Sequence, residues 1–383
     1  MKKYLFLLAG ILFMECMPAQ AQDKEAQLKR IRQLYAQAKQ KAADNGKGAD
    51  APLDMHICMQ DGEQPSEDFA LTEQTDLYFY FNKEKTEPDT DFLEQANCYL
   101  IIMKWESYGH TNYREMLFDP LNISPVTHQP ALIFSYMRGE TDAAFVVETR
   151  YYYDANGSLI DQKHMVGGQE ATAEAHTWST PDGDKEEAER YLAIFNKLLN
   201  HDYSTPSEPA GNHSAMTKDE RMKYIREAYA EAKQKIERDK SADLKRNVQV
   251  TIHDLRGEDF PPLTTELNYY FDATDGRNPS TGLYSGLRHC YFLSEHSTCM
   301  YFDNYSEYLF TPLAESKSKT LPSLIFSYCL SHEEGAKREW RYYFDEFGNC
   351  IEQKCNAEET DGGSADRISA QTYLEAFNKM FEQ

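Results

Sequence analysis

Arg150-Tyr151-Tyr152-Tyr153-Asp154-Ala155-Asn156-Gly157-Ser158-Leu159-Ile160 returns near the C-terminus as Arg341-Tyr342-Tyr343-Phe344-Asp345-Glu346-Phe347-Gly348-Asn349-Cys350-Ile351. Each copy reads as two strands joined by a tight turn. Asp opens the turn because its carboxylate bonds backbone N–H groups ahead of it. Gly, three residues later, takes the left-handed conformation that a side chain penalises, which gives a hairpin with a bulge. A bulge at Gly157 sets Arg150 opposite Gln162 and Tyr152 opposite Ile160, with Arg341/Gln353 and Tyr343/Ile351 as the second copy. Such cross-strand pairs contribute a few tenths to about 1 kcal/mol each. Arg150 and its tyrosines also form a conceivable ligand platform, but register and packing alone account for them.

The rest of the chain aligns on this pair. Ile31–Lys41 and Ile225–Lys235 are nearly the same words, with apolar residues at helical spacing. The spacing predicts helices over roughly 24–43 and 217–238, the second capped by a box of Thr217 and Glu220. Strand-like runs follow in one order in both halves. Met55–Met59 matches Val248–Ile252, Leu77–Phe81 matches Leu267–Phe271, and Cys98–Leu100 matches Cys290–Phe292. Tyr113–Pro120 then matches Tyr305–Pro312, and Pro130–Tyr136 matches Pro322–Tyr328. A helix closes each repeat, Tyr191–Lys197 against Tyr373–Lys379, and Asp184 with Glu187 resembles a box capping the first of them.

Short connections between successive strands favour antiparallel neighbours, and helices at the ends of a strand run favour an α+β fold. The expected architecture is two homologous α+β domains, residues 22–200 and 217–383. Each comprises an N-terminal helix, about seven strands in a curved antiparallel sheet, and a C-terminal helix. Leu77–Phe81 and Cys98–Met103 are apolar on both faces, so both faces of the sheet should be covered. That pattern suggests a sheet wrapped around its helices, approaching a barrel. Residues 201–216, rich in Ser, Pro and Gly, read as a linker. The length of 383 residues suits two cores better than one.

Lys2 and Lys3 precede an apolar run from Tyr4 to Met14, and Ala19-Gln20-Ala21 has the small residues of a cleavage site. Residues 1–21 therefore read as a Sec-type signal peptide, placing the mature chain in the periplasm or outside the cell. A lipoprotein anchored at Cys16 is the weaker alternative, since Phe13-Met14-Glu15 lacks the small residues of a lipobox. The formal charge of -23 argues against nucleic acid and anionic membrane surfaces as partners. Seven of the eight cysteines lie beyond the signal; they read as small buried apolar residues, and no disulfide is assigned.

His289, Cys290, His296 and Cys299 carry zinc-ligand chemistry, but His289 and Cys290 are adjacent on a strand and should point to opposite faces. Asp182-Gly183-Asp184 with Glu186 and Glu187 resembles part of a calcium loop; a helix N-terminus drawing acids explains it more simply. Gly282-Leu283-Tyr284-Ser285-Gly286 has the residue types of a nucleophile elbow in the wrong spacing. No catalytic residue, metal ligand or cofactor is assigned, and the binding residues stay open.

The phrase Tyr-x-Tyr/Phe-Asp-x-x-Gly-x-x-Ile, at Tyr151–Ile160 and Tyr342–Ile351, resembles the YD-type hairpin of many secreted bacterial proteins. It departs from the Rhs shell proteins, whose units follow one another closely. The signal, the tandem layout and the hairpin together are similar to uncharacterised secreted tandem-domain proteins of gut-type Gram-negative bacteria. That resemblance supplies no catalytic residues. The function expected is a secreted or periplasmic, non-enzymatic protein binding a protein or glycan partner. The alternatives are a hydrolase using carboxylates in one domain or at the interface, and a structural envelope-associated protein. The duplication is expected to preserve no polar cluster.

Overall fold

The computed structural model describes residues 24–47, 52–62, 72–85, 94–107, 110–118, 129–139, 146–172, 180–200, 216–241, 246–254, 261–273, 288–310, 322–345, 347–356 and 363–381. The segment 1–21 with Cys16, the linker positions 201–215 and the stretch 282–286 lie outside them.

The first half runs from helix α1 (24–44) through β1 (Asp54–Gly62), β2 (Thr72–Lys85), β3 (Glu94–Ser107), β4 (His110–Phe118), β5 (Pro130–Gly139), β6 (Val146–Tyr153), β7 (Leu159–Val166) and the two-residue β8 (Gln169–Glu170) to α2 (Pro181–Leu199). The second half repeats the order with α3 (Lys218–Ser241), β9 (Arg246–Asp254), β10 (Leu263–Ala273), β11 (Arg288–Thr298), β12 (Phe302–Phe310), β13 (Pro322–Ser331), β14 (Lys337–Phe344), β15 (Cys350–Cys355) and α4 (Gly363–Met380). Thr217 and Glu220 form the expected box, with Glu220 N donating to Thr217 Oγ1 (3.3 Å) and Thr217 N to a Glu220 carboxylate oxygen (2.9 Å). Helix α2 is capped one turn earlier than the spacing suggested. Thr180 Oγ1 accepts from Gly183 N at 3.2 Å, Pro181 opens the helix, and Asp184 and Glu187 turn to other work.

The expectation of two self-contained sheets is corrected. All fifteen strands form one antiparallel sheet in the order β15-β14-β13-β12-β11-β10-β9-β1-β2-β3-β4-β5-β6-β7-β8. The halves join where β1 pairs with β9, with Met55 opposite Ile252, Ile57 opposite Val250 and Met59 opposite Val248. In the repeat alignment Ile57 and Val250 are the same position, so the joint is self-complementary about that pair. This is the pairing a twofold dimer makes. Nor does the sheet approach a barrel, because β15 and β8 end it on opposite sides.

Both faces are covered, as the two-sided apolar strands required. On the outer face α1 lays Leu28, Ile31 and Ala38 over Leu100, Leu117 and Leu132, and α3 lays Met222, Ile225 and Ile236 over Phe292, Leu309 and Leu324. On the inner face α2 and α4 pack against each other and against one core shared by both halves. Lys197 meets Glu375 at 2.5 Å, while Ala193 shares a groove with Lys379, so the two helices run antiparallel. Phe195 stacks on Phe79 and packs against Phe81; its counterpart Phe377 does the same with Tyr269 and Phe271.

The hairpin register is also corrected. The turn itself is as read: Gly157 (φ +75°) donates to Asp154 O at 3.0 Å, and Asp154 Oδ1 accepts from Asn156 and Ser158 N–H groups. A second extra residue follows it, because Tyr153 faces Leu159 while Tyr152 faces Asp161, leaving Ile160 bulged. Arg150 thus faces Lys163, and in the second copy Ile351 is bulged and Arg341 faces Lys354. The cause is a line of bulges. Tyr99, Ala131 and Ile160 are extra residues on β3, β5 and β7, matched by Tyr291, Ser323 and Ile351 on β11, β13 and β15. Bulges raise the local twist. Repeated on alternate strands beneath α1 and α3, they bend the sheet along the track each helix follows.

Candidate functional site

Sequence reasoning expected the duplication to preserve no polar cluster; the structure contains one in each half. Glu115 on β4 and Glu307 on β12 are almost fully buried on the outer face, at the flank of the covering helix. Glu115 accepts from Tyr35 and Lys39 of α1 and from Tyr113 two residues away. Glu307 repeats the set, accepting from Tyr229, from Lys233 (2.7 Å) and from Tyr305 (2.7 Å). A buried carboxylate needs several donors, and three are supplied. Burial pushes the Glu307 carboxyl up, but the bonds from Lys233, Tyr229 and Tyr305 outweigh it and hold the group below its ordinary 4.5. Burial, followed by the bond to the Glu, pushes each of the four tyrosines far above the usual phenol range. The signal was present in the aligned repeats. Tyr-x-Glu on a strand and Tyr-x-x-x-Lys on a helix each place both members on one face.

Beside each cluster, outside the footprint of the helix, lies a half-buried aromatic patch. Phe134 stands opposite Glu115 and Arg150, and Tyr136 stands opposite Tyr113 and Glu148. The second half has Phe326 opposite Glu307 and Arg341, and Tyr328 opposite Tyr305 and Glu339. In both halves the guanidinium lies 5.2 Å from the Phe ring centroid, the distance of a cation–π contact. Tyr305 and Tyr328 stack at 5.4 Å. Arg150 and Arg341 do therefore border an aromatic surface, although not the one the hairpin suggested. Tyr151 and Tyr153 are buried in the inner core, and Tyr152 lies under α1.

The inner face carries polar groups that differ between the halves. In the first, buried Arg114 meets Asp184 (3.1 Å) and Glu187 and donates from Nε to Ser135 Oγ (2.9 Å). Glu187 also accepts from Tyr191 Oη at 3.0 Å. Asp184 and Glu187 are thus partners of an arginine brought from β4, beyond any helix-dipole effect. Over them opens a groove of about 540 Å³, lined by Gly183, Glu186, Glu187, Arg190, Ala193 and Lys379. In the second half, Arg114 is replaced by Ser306, and Glu295 takes bonds from Tyr308 (2.7 Å) and Tyr373 (3.1 Å) where the first half has Met103 and Met116.

His289 is exposed and Cys290 buried, on opposite faces of β11. His296 pairs with Asp303 at 3.8 Å rather than with either cysteine. Among the described residues no group of three or more His, Cys, Asp or Glu is arranged to hold a metal ion. No disulfide links any two of the seven described cysteines. Cys58, Cys98 and Cys290 are buried as expected, whereas Cys350 is exposed and Cys299, Cys329 and Cys355 are partly so. No helix among the described residues is long and apolar enough to cross a membrane. Compared with known proteins, the chain matches no family model, no curated protein and no solved structure.

Proposed function

We propose that the chain is an exported, non-enzymatic protein of two homologous α+β units that binds a protein or glycan partner through its outer face. The observation that carries this reading is the repeated surface set Tyr113-Phe134-Tyr136-Arg150 and Tyr305-Phe326-Tyr328-Arg341. Phe134, Tyr136 and their counterparts Phe326 and Tyr328 lie outside both the inner core and the helix footprint, Tyr113 and Tyr305 join them to the glutamate clusters, and the whole set recurs with the same neighbours. Tyrosine and arginine are the residues that binding surfaces favour, since each joins an apolar face to a polar end. The polar groups of the inner face, by contrast, are not shared. The carboxylate-enzyme reading has its best location at the groove over α2. There Glu187 is already engaged by Arg114, Arg190 and Tyr191, which leaves it poorly placed to act as a base.

The test compares the tagged mature protein with a Tyr136→Ser/Tyr328→Ser double variant of unchanged circular dichroism. Both are applied to solubilised envelope proteins and to immobilised oligosaccharides, and the wild type is assayed on chromogenic esters and glycosides. Capture by the wild type and loss in the variant is the expected result. Equal capture, no capture, or turnover of a substrate would overturn the proposal.

A further inference from the structure

Two hairpin tips of the second half are fastened together by one histidine. The β11–β12 tip is tight, with Cys299 N donating to Phe302 O at 3.0 Å, and it carries Met300 (67% exposed) and Tyr301 (52% exposed). No other large apolar side chain among the described residues is as exposed as these two. The turn between β13 and β14 reaches it through His332, whose backbone N donates to Tyr301 O at 2.9 Å. The ring of His332 then spans the tip. Nδ1 lies 3.0 Å from Met300 O, and Nε2 lies 3.1 Å from Asp303 Oδ2.

We propose that His332 is a protonation-dependent clasp that fixes the Met300–Tyr301 tip when charged and loosens it when neutral. A backbone carbonyl only accepts, and so does an ionised carboxylate. Two acceptors facing both ring nitrogens are satisfied together only by the doubly protonated imidazolium; either neutral tautomer gives up one bond. Asp303 stays ionised because Thr298 and then His332 donate to it, holding its carboxyl below the ordinary 3.8. The bond to Asp303, followed by the one to Met300 O, in turn raises the His332 pKa above its ordinary 6.5. The titratable and charged groups around the ring are Asp303 on β12, His296 on β11, and Glu333 and Glu334 next to it in its own turn. A raised folded pKa means the clasp is complete below 6.5 and is lost as pH rises through the folded value. The first half has Thr111 and Lys104 where Asp303 and His296 stand, so the device belongs to one half only.

The test is an NMR titration of the histidine ring nitrogens in the full mature chain, with amide exchange of His332 followed over the same range and corrected for intrinsic base catalysis. A His332 midpoint above 6.5 is expected. Asp303→Asn should shift that midpoint downward, and His332 amide protection should fall as pH passes it. His332→Gln should remove the pH dependence of protection in the neighbouring Phe302 and Asp303 amides. A midpoint at or below that of a free histidine, a midpoint indifferent to Asp303→Asn, or protection that ignores pH in the wild type would each overturn the proposal.

Discussion

Glu307 shows how much one side chain governs when it is buried among donors. Replacing it with Gln leaves Lys233 without its counter-charge and makes the site a poorer acceptor for two phenols. The expected loss is about 2 kcal/mol at neutral pH, below the usual cost of a broken buried pair because Lys233 itself reaches solvent. The sign with pH follows from the lowered carboxyl pKa. The contribution is present above 4.5 and is lost as pH falls through the folded value, so the gap between wild type and Glu307→Gln should close in acid. Urea unfolding at pH 7 and pH 3 measures both points. These glutamates were visible in the repeats only as two of many acids. A strand residue two places from a tyrosine becomes informative once the helix that crosses it is known, and the crossing is a tertiary fact.

For the elements, order and type were legible and exact pairing was not. Helical spacing in Ile31–Lys41 and Ile225–Lys235, and the Asp-x-x-Gly turns, gave α1, α3 and both hairpins within a few residues. The bulge at Ile160 left no mark, because an extra residue needs no special side chain when its φ is ordinary, whereas the one at Gly157 needed a glycine. That contrast predicts the outcome of a substitution. Gly157→Ala should cost about 1–2 kcal/mol, since φ is +75° and the new Cβ would crowd the side-chain ends of Gln129 and Lys185. Gly168→Ala, at φ +79° with nothing within 4 Å, should cost only the backbone share of about 1 kcal/mol. Thermal unfolding of the two variants separates crowding from backbone strain.

Across the whole molecule, the sheet passes from one half to the other without interruption, and so does the inner core. Nothing in the apolar runs Met55–Met59 and Val248–Ile252 says which strand each will choose; an edge strand of either half is an equally good partner. The joint has a measurable consequence. A protease site introduced within 201–215 and cut should leave the halves associated, eluting together on size exclusion and melting in one transition. Two separate species, or two transitions, would mean that β1–β9 and α2–α4 are weaker than their burial implies. Lys83 and Asp254, 2.6 Å apart across the joint, add a largely buried ion pair that salt screens only weakly.

The self-complementary pairing about Ile57 and Val250 has one more implication. A homodimer built on that axis must carry every residue twice, so a change that suits one side is imposed on the other. A single polypeptide holding both sides is free of that rule. It can set an arginine between two acids in one interior, a glutamate among tyrosines in the other, and a histidine bridge at one rim alone, while the seam that joins them keeps its symmetry.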